Sequence, residues 1–140
     1  MRDRPFGRED AHRSLKRLLA NGPLTAMPRK PADQRLLALL AASRFEPGKP
    51  HSEAEVNERL VSWLCTFSAP CGIDHVSLRR LLVDSRLLAR TASGSTYERH
   101  VEERDEAQLV ADVDPEAVLT AARGERESRR LAAERTQPRE

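Results

Sequence analysis

Two adjacent arginines, Arg79 and Arg80, are the side chains in this sequence best suited to recognising phosphate groups or the edges of bases. A guanidinium group donates paired, charge-assisted hydrogen bonds, and arginine in the major groove commonly reads guanine. Ser77 precedes them in the same helical segment, while Arg90 and Arg99 follow in two strand-like segments. These five residues form a candidate DNA-binding set, in which the helix enters the major groove and the strands touch the DNA backbone.

The same arginines have a structural alternative. Arg80 stands four residues before Asp84, a spacing that allows an ion pair on a helix surface, and Arg79 could pair with Glu55 or Glu58 of the preceding helix. Two arginines without a lysine are also few beside the roughly six to ten phosphate contacts of a strong DNA-binding protein. The sequence alone leaves open whether this helix binds DNA or only packs.

Cys65, Cys71 and His75 raise the question of a metal or redox site. Thiolate and imidazole groups are zinc ligands, and His51 or His100 could complete a set of four. The spacing differs from that of familiar zinc motifs, whose paired ligands usually stand about two to four residues apart. A redox-responsive thiol pair is a second alternative, and the packing of free cysteines as small buried side chains is a third. We expect packing, and therefore neither a metal nor another cofactor.

Groups that could catalyse a reaction do not form a familiar pattern. The sequence has no Ser-His-Asp arrangement, Walker motif or glycine-rich phosphate loop. Acid–base catalysis needs carboxyl groups placed beside a reacting proton with a tuned pKa, whereas the neighbouring carboxylates here lie in polar segments without suitable companions. They are the pairs Glu53 and Glu55, Glu102 and Glu103, and Asp112 and Asp114. We expect the chain not to be an enzyme.

Helical periodicity predicts the first two elements of the fold. Residues 9–21 follow an amphipathic pattern that Gly22 and Pro23 bring to an end. A proline-rich linker over residues 22–31 should be extended, because each proline lacks a donor and restricts the residue before it. A second helix begins near Asp33 and is apolar over much of its circumference, so we expect it at the centre of the core.

Capping signals predict two further helices. Ser52 and Glu55 match the capping box, in which each side chain binds the other residue's backbone amide, so a third helix begins near Ser52. Asp74 can cap a fourth helix that runs to Asp84. This fourth helix carries Arg79 and Arg80 of the candidate DNA-binding set.

A hairpin should follow the fourth helix. Strand-like residues 87–91 and 96–101 flank a turn at 92–95 that contains Gly94. Three helices followed by a hairpin is the order found in winged helix-turn-helix domains. We therefore predict a mainly α fold with a small β-hairpin, built as a winged helix-turn-helix-like core plus terminal helices. The expected core residues are Leu36, Leu40, Val56, Leu60, Trp63, Leu78 and Leu82.

Several separated blocks together resemble one protein family. The blocks are Phe45-Glu-Pro-Gly48, Ser52-Glu-Ala-Glu-Val-Asn57, Asp74-His75, Leu78-Arg-Arg80, Leu82-Val-Asp84, Leu87, Arg90, Gly94 and Tyr97-Glu-Arg99. Over about residues 24–100 they resemble, in order, the bacterial family of unknown function DUF2087. The resemblance implies transcriptional regulation, since members are described as regulators and are sometimes fused behind an ArsR-type helix-turn-helix.

The chain departs from the family pattern in two places. The family usually has glycine where this chain has Ser85-Arg86, so we expect the turn after the fourth helix to be built differently. The stretch between Asn57 and Asp74 is several residues longer than is usual, and both cysteines fall near that extension. The resemblance therefore assigns the cysteines no role.

Length and charge indicate one small domain with flanking segments. The 140 residues carry 24 basic and 22 acidic groups, and a net charge of +2 gives no overall attraction to nucleic acid or membranes. We divide the chain into an N-terminal amphipathic helix (1–23), a DUF2087-like winged-helix domain (24–101) and a charged helical tail (102–140).

The two ends of the chain differ in charge. Residues 1–30 carry eight basic and three acidic groups, whereas residues 101–140 carry seven and eleven. Such ends can attract each other within one chain or between two copies, and helices this short or polar are marginal alone. Because two-fold dimers are the commonest assemblies, we expect a homodimer through the terminal helices.

The remaining expectations concern location and partners. No apolar run approaches the roughly 20 residues that span a bilayer, and the N-terminus lacks a signal-peptide core, so we expect a cytoplasmic protein without a membrane partner. DNA is the expected partner. The alternative function is a non-enzymatic adaptor that binds a protein partner and makes no DNA contact.

Overall fold

Helices supply most of the fold, and three short strands join into one sheet. A computed structural model describes residues 7–93, 96–100 and 105–136. In chain order the elements are α1 (Arg8–Leu18), α2 (Pro31–Ala42), β1 (His51–Ser52), α3 (Glu53–Leu64), α4 (His75–Asp84), β2 (Leu88–Arg90), β3 (Thr96–Arg99), α5 (Glu106–Leu109) and α6 (Pro115–Thr136). The predicted fold class, a mainly helical chain with a small hairpin, is confirmed.

Helix α2 lies at the centre of the core, as its composition predicts. Residues 36–42 are all buried, since small and branched apolar side chains cover every side of the helix. The helix begins at Pro31, two residues before the expected start, because proline fits the first turn. Asp33 is buried within α2 and accepts a 2.7 Å hydrogen bond from the guanidinium of Arg17, which ties α1 to α2.

Helices α3 and α4 begin at the predicted capping residues. The Ser52 hydroxyl accepts a 3.1 Å bond from the Glu55 amide, and the Glu55 carboxylate accepts a 2.9 Å bond from the Ser52 amide. This second bond lowers the pKa of the Glu55 carboxyl. The Asp74 carboxylate accepts bonds of 3.3 Å from the amides of Val76 and Ser77. Both helix starts are therefore determined by contacts within one turn.

The sheet has the strand order β1-β3-β2, and both pairings are antiparallel. Tyr97 of β3 stands opposite His51 on one side and Arg90 on the other. The pairing of β2 with β3 confirms the predicted hairpin, although Gly94 and Ser95 of its turn lie outside the described residues. Strand β1 was not predicted, because two residues are too short to show the alternation of a strand.

Six of the seven predicted core residues are buried, and Trp63 is the exception. Its ring meets Phe67 edge to face at 4.7 Å between centroids and packs against the margin of the core, so it is only partly buried. Most of its surface is still covered, and its indole nitrogen is buried, so the prediction of a largely buried Trp63 is confirmed although it is less buried than the other six. Leu60 and Leu64 of the same helix are buried in the core, whereas Trp63 also lines a surface groove with Arg44 and Arg59.

The segment after the sheet packs onto the same core. The side chain of Arg35 donates a 2.6 Å hydrogen bond to Glu106, which joins α2 to α5, and α6 contacts α1. The buried residues of this segment are Ala107, Val110, Val113, Pro115, Val118 and Leu119. Among the described helices none is both long enough and apolar enough to cross a membrane.

Candidate nucleic-acid interface

Helix α4 presents a polar face because its apolar face is anchored. Leu78 and Leu82 are fully buried against the neighbouring helices, which leaves Ser77 and Arg80 exposed on the other side. The Ser77 hydroxyl donates a 3.2 Å hydrogen bond to Asp74, the capping residue. Backbone hydrogen bonds from the first turn, led by that of Val76, lower the pKa of the Asp74 carboxyl. The start of α4 is thus rigid and carries a negative charge.

Arg79 is held by neutral partners. Its guanidinium donates a short hydrogen bond to the side-chain oxygen of Asn57 on α3, and it lies 5.9 Å from the centroid of the Tyr97 ring. Arg79 therefore contacts the preceding helix, as the structural alternative has it, but through Asn57 rather than Glu55 or Glu58. Because an amide and an aromatic ring orient the guanidinium without neutralising it, Arg79 keeps its full positive charge in a fixed position.

Arg80 is exposed and makes no hydrogen bond or ion pair with any described residue. The ion pair with Asp84 that the spacing allows does not form, so that alternative is also wrong. Exposed pairs on a helix are worth only a few tenths of a kcal/mol, which explains why spacing alone does not ensure them. Arg80 is consequently available to a ligand.

Arg90 places a further charge beside Arg79. It is exposed on β2 and lies 6.0 Å from the centroid of the same Tyr97 ring. Tyr97 is buried, and its hydroxyl donates a 3.2 Å hydrogen bond to Glu53 at the start of α3. One ring therefore links α3, α4 and the hairpin. We call Arg79, Arg80 and Arg90 the arginine surface.

Arg99 does not belong to this surface. It is 4% exposed, and its guanidinium donates a 2.9 Å bond to the Phe45 carbonyl and bonds of 2.7 and 3.0 Å to the two carboxylate oxygens of Asp105. The expectation that Arg99 touches DNA is therefore wrong. Alternation along β3 places residues 97 and 99 on the inner face of the sheet, where Arg99 joins the core to the segment that begins at Asp105.

Arg86 is a basic residue that the sequence reasoning missed. It is exposed in the turn between α4 and β2 and has a φ of 62°, a left-handed conformation that favours glycine. It stands at the position of the glycine in the family pattern. The backbone here adopts a glycine-like conformation with an arginine in it, and the expectation that the turn differs from the family's stays a prediction.

The candidate metal ligands do not assemble into a metal site. Cys65, Cys71 and His75 line a groove of about 440 Å³ between the end of α3 and the start of α4, and both thiols are exposed rather than buried. No group of three His, Cys, Asp or Glu side chains within the described ranges could hold a metal ion. His51 is buried against Phe45, and His100 is exposed beyond β3. The packing expectation for the cysteines is also wrong, because the long loop 65–74 turns both outward.

Comparison with known proteins identifies a family but no characterised relative. The family described as "Uncharacterized protein conserved in bacteria (DUF2087)" matches residues 23–99. This range holds α2 to α4 and all three strands, and it excludes α1, α5 and α6. No curated protein and no solved structure matches the chain.

Proposed function

Because this chain belongs to the DUF2087 family of uncharacterized bacterial proteins, we propose that it is a bacterial transcriptional regulator that binds double-stranded DNA through α4 and the β2–β3 hairpin. In this proposal it acts in the cytoplasm as a binding protein and catalyses no reaction. The contacts come from the arginine surface, with Ser77 beside it on α4.

The order of elements supports this proposal. The sequence α2-β1-α3-α4-β2-β3, with β1 paired to β3, has the element order of a winged helix-turn-helix domain, in which α4 corresponds to the helix that enters the major groove. The connection between α3 and α4, residues 65–74, is longer than the roughly three or four residues of a standard helix-turn-helix. The proposal therefore rests on α4 and the hairpin rather than on the turn.

The observation that carries the proposal is the shared Tyr97 ring. Since Arg79 and Arg90 lie 5.9 and 6.0 Å from its centroid, their guanidinium carbons are no more than about 12 Å apart. That span does not exceed the width of the major groove of B-DNA, about 12 Å. The Tyr97 ring is uncharged and neutralises neither Arg79 nor Arg90. Arg80 adds an unpaired charge on α4, next to Arg79. Two cations beside one ring, with the unpaired Arg80 on the adjoining helix, suit a phosphate backbone.

Binding of labelled genomic duplex fragments, measured by fluorescence anisotropy at two salt concentrations, tests the proposal. Arg80→Ala is the cleanest variant, since the side chain supports no described contact. The double variant Arg79→Ala/Arg80→Ala removes both of the proposed DNA contacts made by arginines of α4. We expect the double variant to bind about tenfold or more weakly, with a salt slope reduced by about 2. Arg123→Ala, an exposed arginine on α6, is the matched control and should bind like the wild type.

Two outcomes contradict this proposal. If the double variant binds as tightly as the wild type and with the same salt slope, the arginine surface does not contact DNA. If the wild type binds no duplex at either salt concentration, DNA binding is wrong, and the adaptor function with a protein partner replaces it. In that case immobilised full-length chain and its Arg80→Ala variant should differ in the proteins that they retain.

A further inference from the structure

The groove between the end of α3 and the start of α4 contains two thiols for which DNA binding has no use. Cys65 and Cys71 both line this groove, and both side chains are exposed. Neither cysteine therefore serves as a small buried side chain of the core. A metal site is not assembled here, since no group of three ligating side chains among the described residues could hold an ion. Because buried cysteines are inert and exposed ones can meet a reagent, the pair points to thiol chemistry.

The loop between α3 and α4 brings the two cysteines to the same groove by means of two turns. The first turn, residues 64–68, contains Cys65 and closes with a 2.8 Å backbone hydrogen bond. The second turn, residues 69–72, contains Cys71 and closes with a 2.9 Å backbone hydrogen bond. Where the turns join, the chain exchanges backbone hydrogen bonds of 3.0 and 2.8 Å with Leu24. The loop is therefore anchored, and its two turns hold both thiols at one surface.

The second turn is where the loop can adjust. Cys71 has a φ of 61°, a left-handed conformation that favours glycine, and it forms no hydrogen bond with any described residue. Gly72 is fixed instead, because a Cβ built there would lie 2.8 Å from the Ala69 carbonyl oxygen and 3.0 Å from that of Leu24. A disulfide needs Cα atoms roughly 4.4–6.8 Å apart. Rotation of the backbone at Cys71 supplies the approach to Cys65 while it breaks no described hydrogen bond of that residue and relieves an unfavourable φ.

We propose that Cys65 and Cys71 are a redox-active thiol pair, which small disulfides of the glutathione disulfide type convert to an intramolecular disulfide. The thiolate of one cysteine attacks a sulfur of the small disulfide, so that a mixed disulfide forms on the protein and one small thiol leaves. The thiolate of the other cysteine then attacks the protein sulfur of the mixed disulfide and releases the second small thiol. The protein thiols are oxidised, the small disulfide is reduced to two thiols, and these carry away both protons.

Ring closure is favoured over a second mixed disulfide because it is intramolecular. Five residues separate the two cysteines, so the ring is small and the entropy lost on closing it is low. A thiol tethered this closely acts at an effective concentration in the millimolar range. The groove, of about 440 Å³, has the size of a small-molecule site, so a small disulfide can reach either sulfur. In a reducing compartment a disulfide of this kind is transient, which suits redox sensing.

Mass spectrometry of the reduced full-length chain after incubation with glutathione disulfide tests the proposal. The chain has two cysteines, and both fall in one tryptic peptide, residues 60–79. We expect the wild type to lose both thiols together, so that this peptide loses the mass of two hydrogen atoms and recovers it with dithiothreitol. In Cys65→Ser and Cys71→Ser the remaining thiol cannot close a ring, so the mixed disulfide with glutathione should accumulate about tenfold or more above its level in the wild type.

A relocated thiol is the matched control. Cys65→Ser/Ser128→Cys keeps two exposed thiols but moves one of them to α6, outside the groove, so it should form mixed disulfides rather than a ring. The proposal is overturned if the wild type keeps its free thiols, collects one glutathione on each cysteine, or forms only disulfide-linked dimers. It is also overturned if the relocated pair closes as readily as the pair in the loop. Circular dichroism checks that each variant is folded, and no readout depends on DNA, so the thiol pair and the DNA-binding proposal are tested separately.

Discussion

The buried guanidinium of Arg99 should be one of the main contributors to stability outside the apolar core. Replacing it with methionine removes three hydrogen bonds, one to the Phe45 carbonyl at 2.9 Å and two to the Asp105 carboxylate at 2.7 and 3.0 Å. Methionine has a similar length and keeps most of the packing. The substitution therefore tests the polar contacts rather than the loss of volume.

The expected loss of unfolding free energy depends on whether the Phe45 carbonyl and the Asp105 carboxylate can find other hydrogen-bond donors once Arg99 is replaced. A buried carbonyl left without a donor costs about 1–3 kcal/mol. Breaking a fully buried ion pair costs about 3–5 kcal/mol, but the Asp105 side chain is 28% exposed and can regain water, which reduces its share. Burial of the Arg99 Nε, which has no described partner, is relieved in the variant and offsets part of the loss. We therefore expect a loss of about 2–4 kcal/mol and a fall of about 10 °C in the unfolding midpoint.

Urea denaturation and differential scanning calorimetry measure this loss. Arg80→Met is the matched control, and because Arg80 is exposed without described partners its unfolding free energy should change by less than about 0.5 kcal/mol. Asp105→Asn keeps an oxygen that can accept the 3.2 Å bond from the Gln108 amide but leaves the buried Arg99 charge without a counter-ion, so it should lose at least as much stability as Arg99→Met. A loss below about 1 kcal/mol in Arg99→Met would refute the reasoning.

Three further predictions concern His51, Arg86 and Leu82. Burial lowers the pKa of His51, so the folded state binds the imidazole proton less tightly than the unfolded state, and the unfolding free energy should fall as the pH drops below about 6.5. In urea titrations at several pH values, His51→Phe should show a smaller fall than the wild type. Arg86→Gly should stabilise the protein by about 0.5–1 kcal/mol, because the relief of left-handed backbone strain exceeds the cost of a more flexible unfolded chain. Ser85→Gly, at a residue with negative φ, should destabilise the protein, and equal effects of the two variants would contradict the strain argument. Leu82→Ala should lose about 2–5 kcal/mol in calorimetry, against less than about 0.5 for Leu109→Ala at a 48% exposed position, and a smaller difference would mean that α4 is not anchored in the core.

Where the deciding contacts lie within one helical turn, sequence reasoning succeeded. Ser52, Glu55 and Asp74 cap the two helices that were predicted from them, because each side chain reaches an amide only two or three residues away. Apolar spacing likewise identified Leu78 and Leu82 as the buried face of α4, since helix geometry alone determines which residues share a side. The position of Ser77 and Arg80 on the exposed face follows from the same periodicity.

Contacts between distant parts of the chain could be decided only by the tertiary structure. The sequence by itself determined helices α1 to α4, the hairpin and the exposed face of α4, because these depend on local periodicity and capping. It did not determine the partner of Arg79, which is Asn57, 22 residues away, or the burial of Arg99 against Phe45, 54 residues away. A guanidinium has the same chemistry on a surface and in a core. The packing of β3, α3 and the segment after the sheet decides whether an arginine donates its hydrogen bonds to the protein or to a ligand.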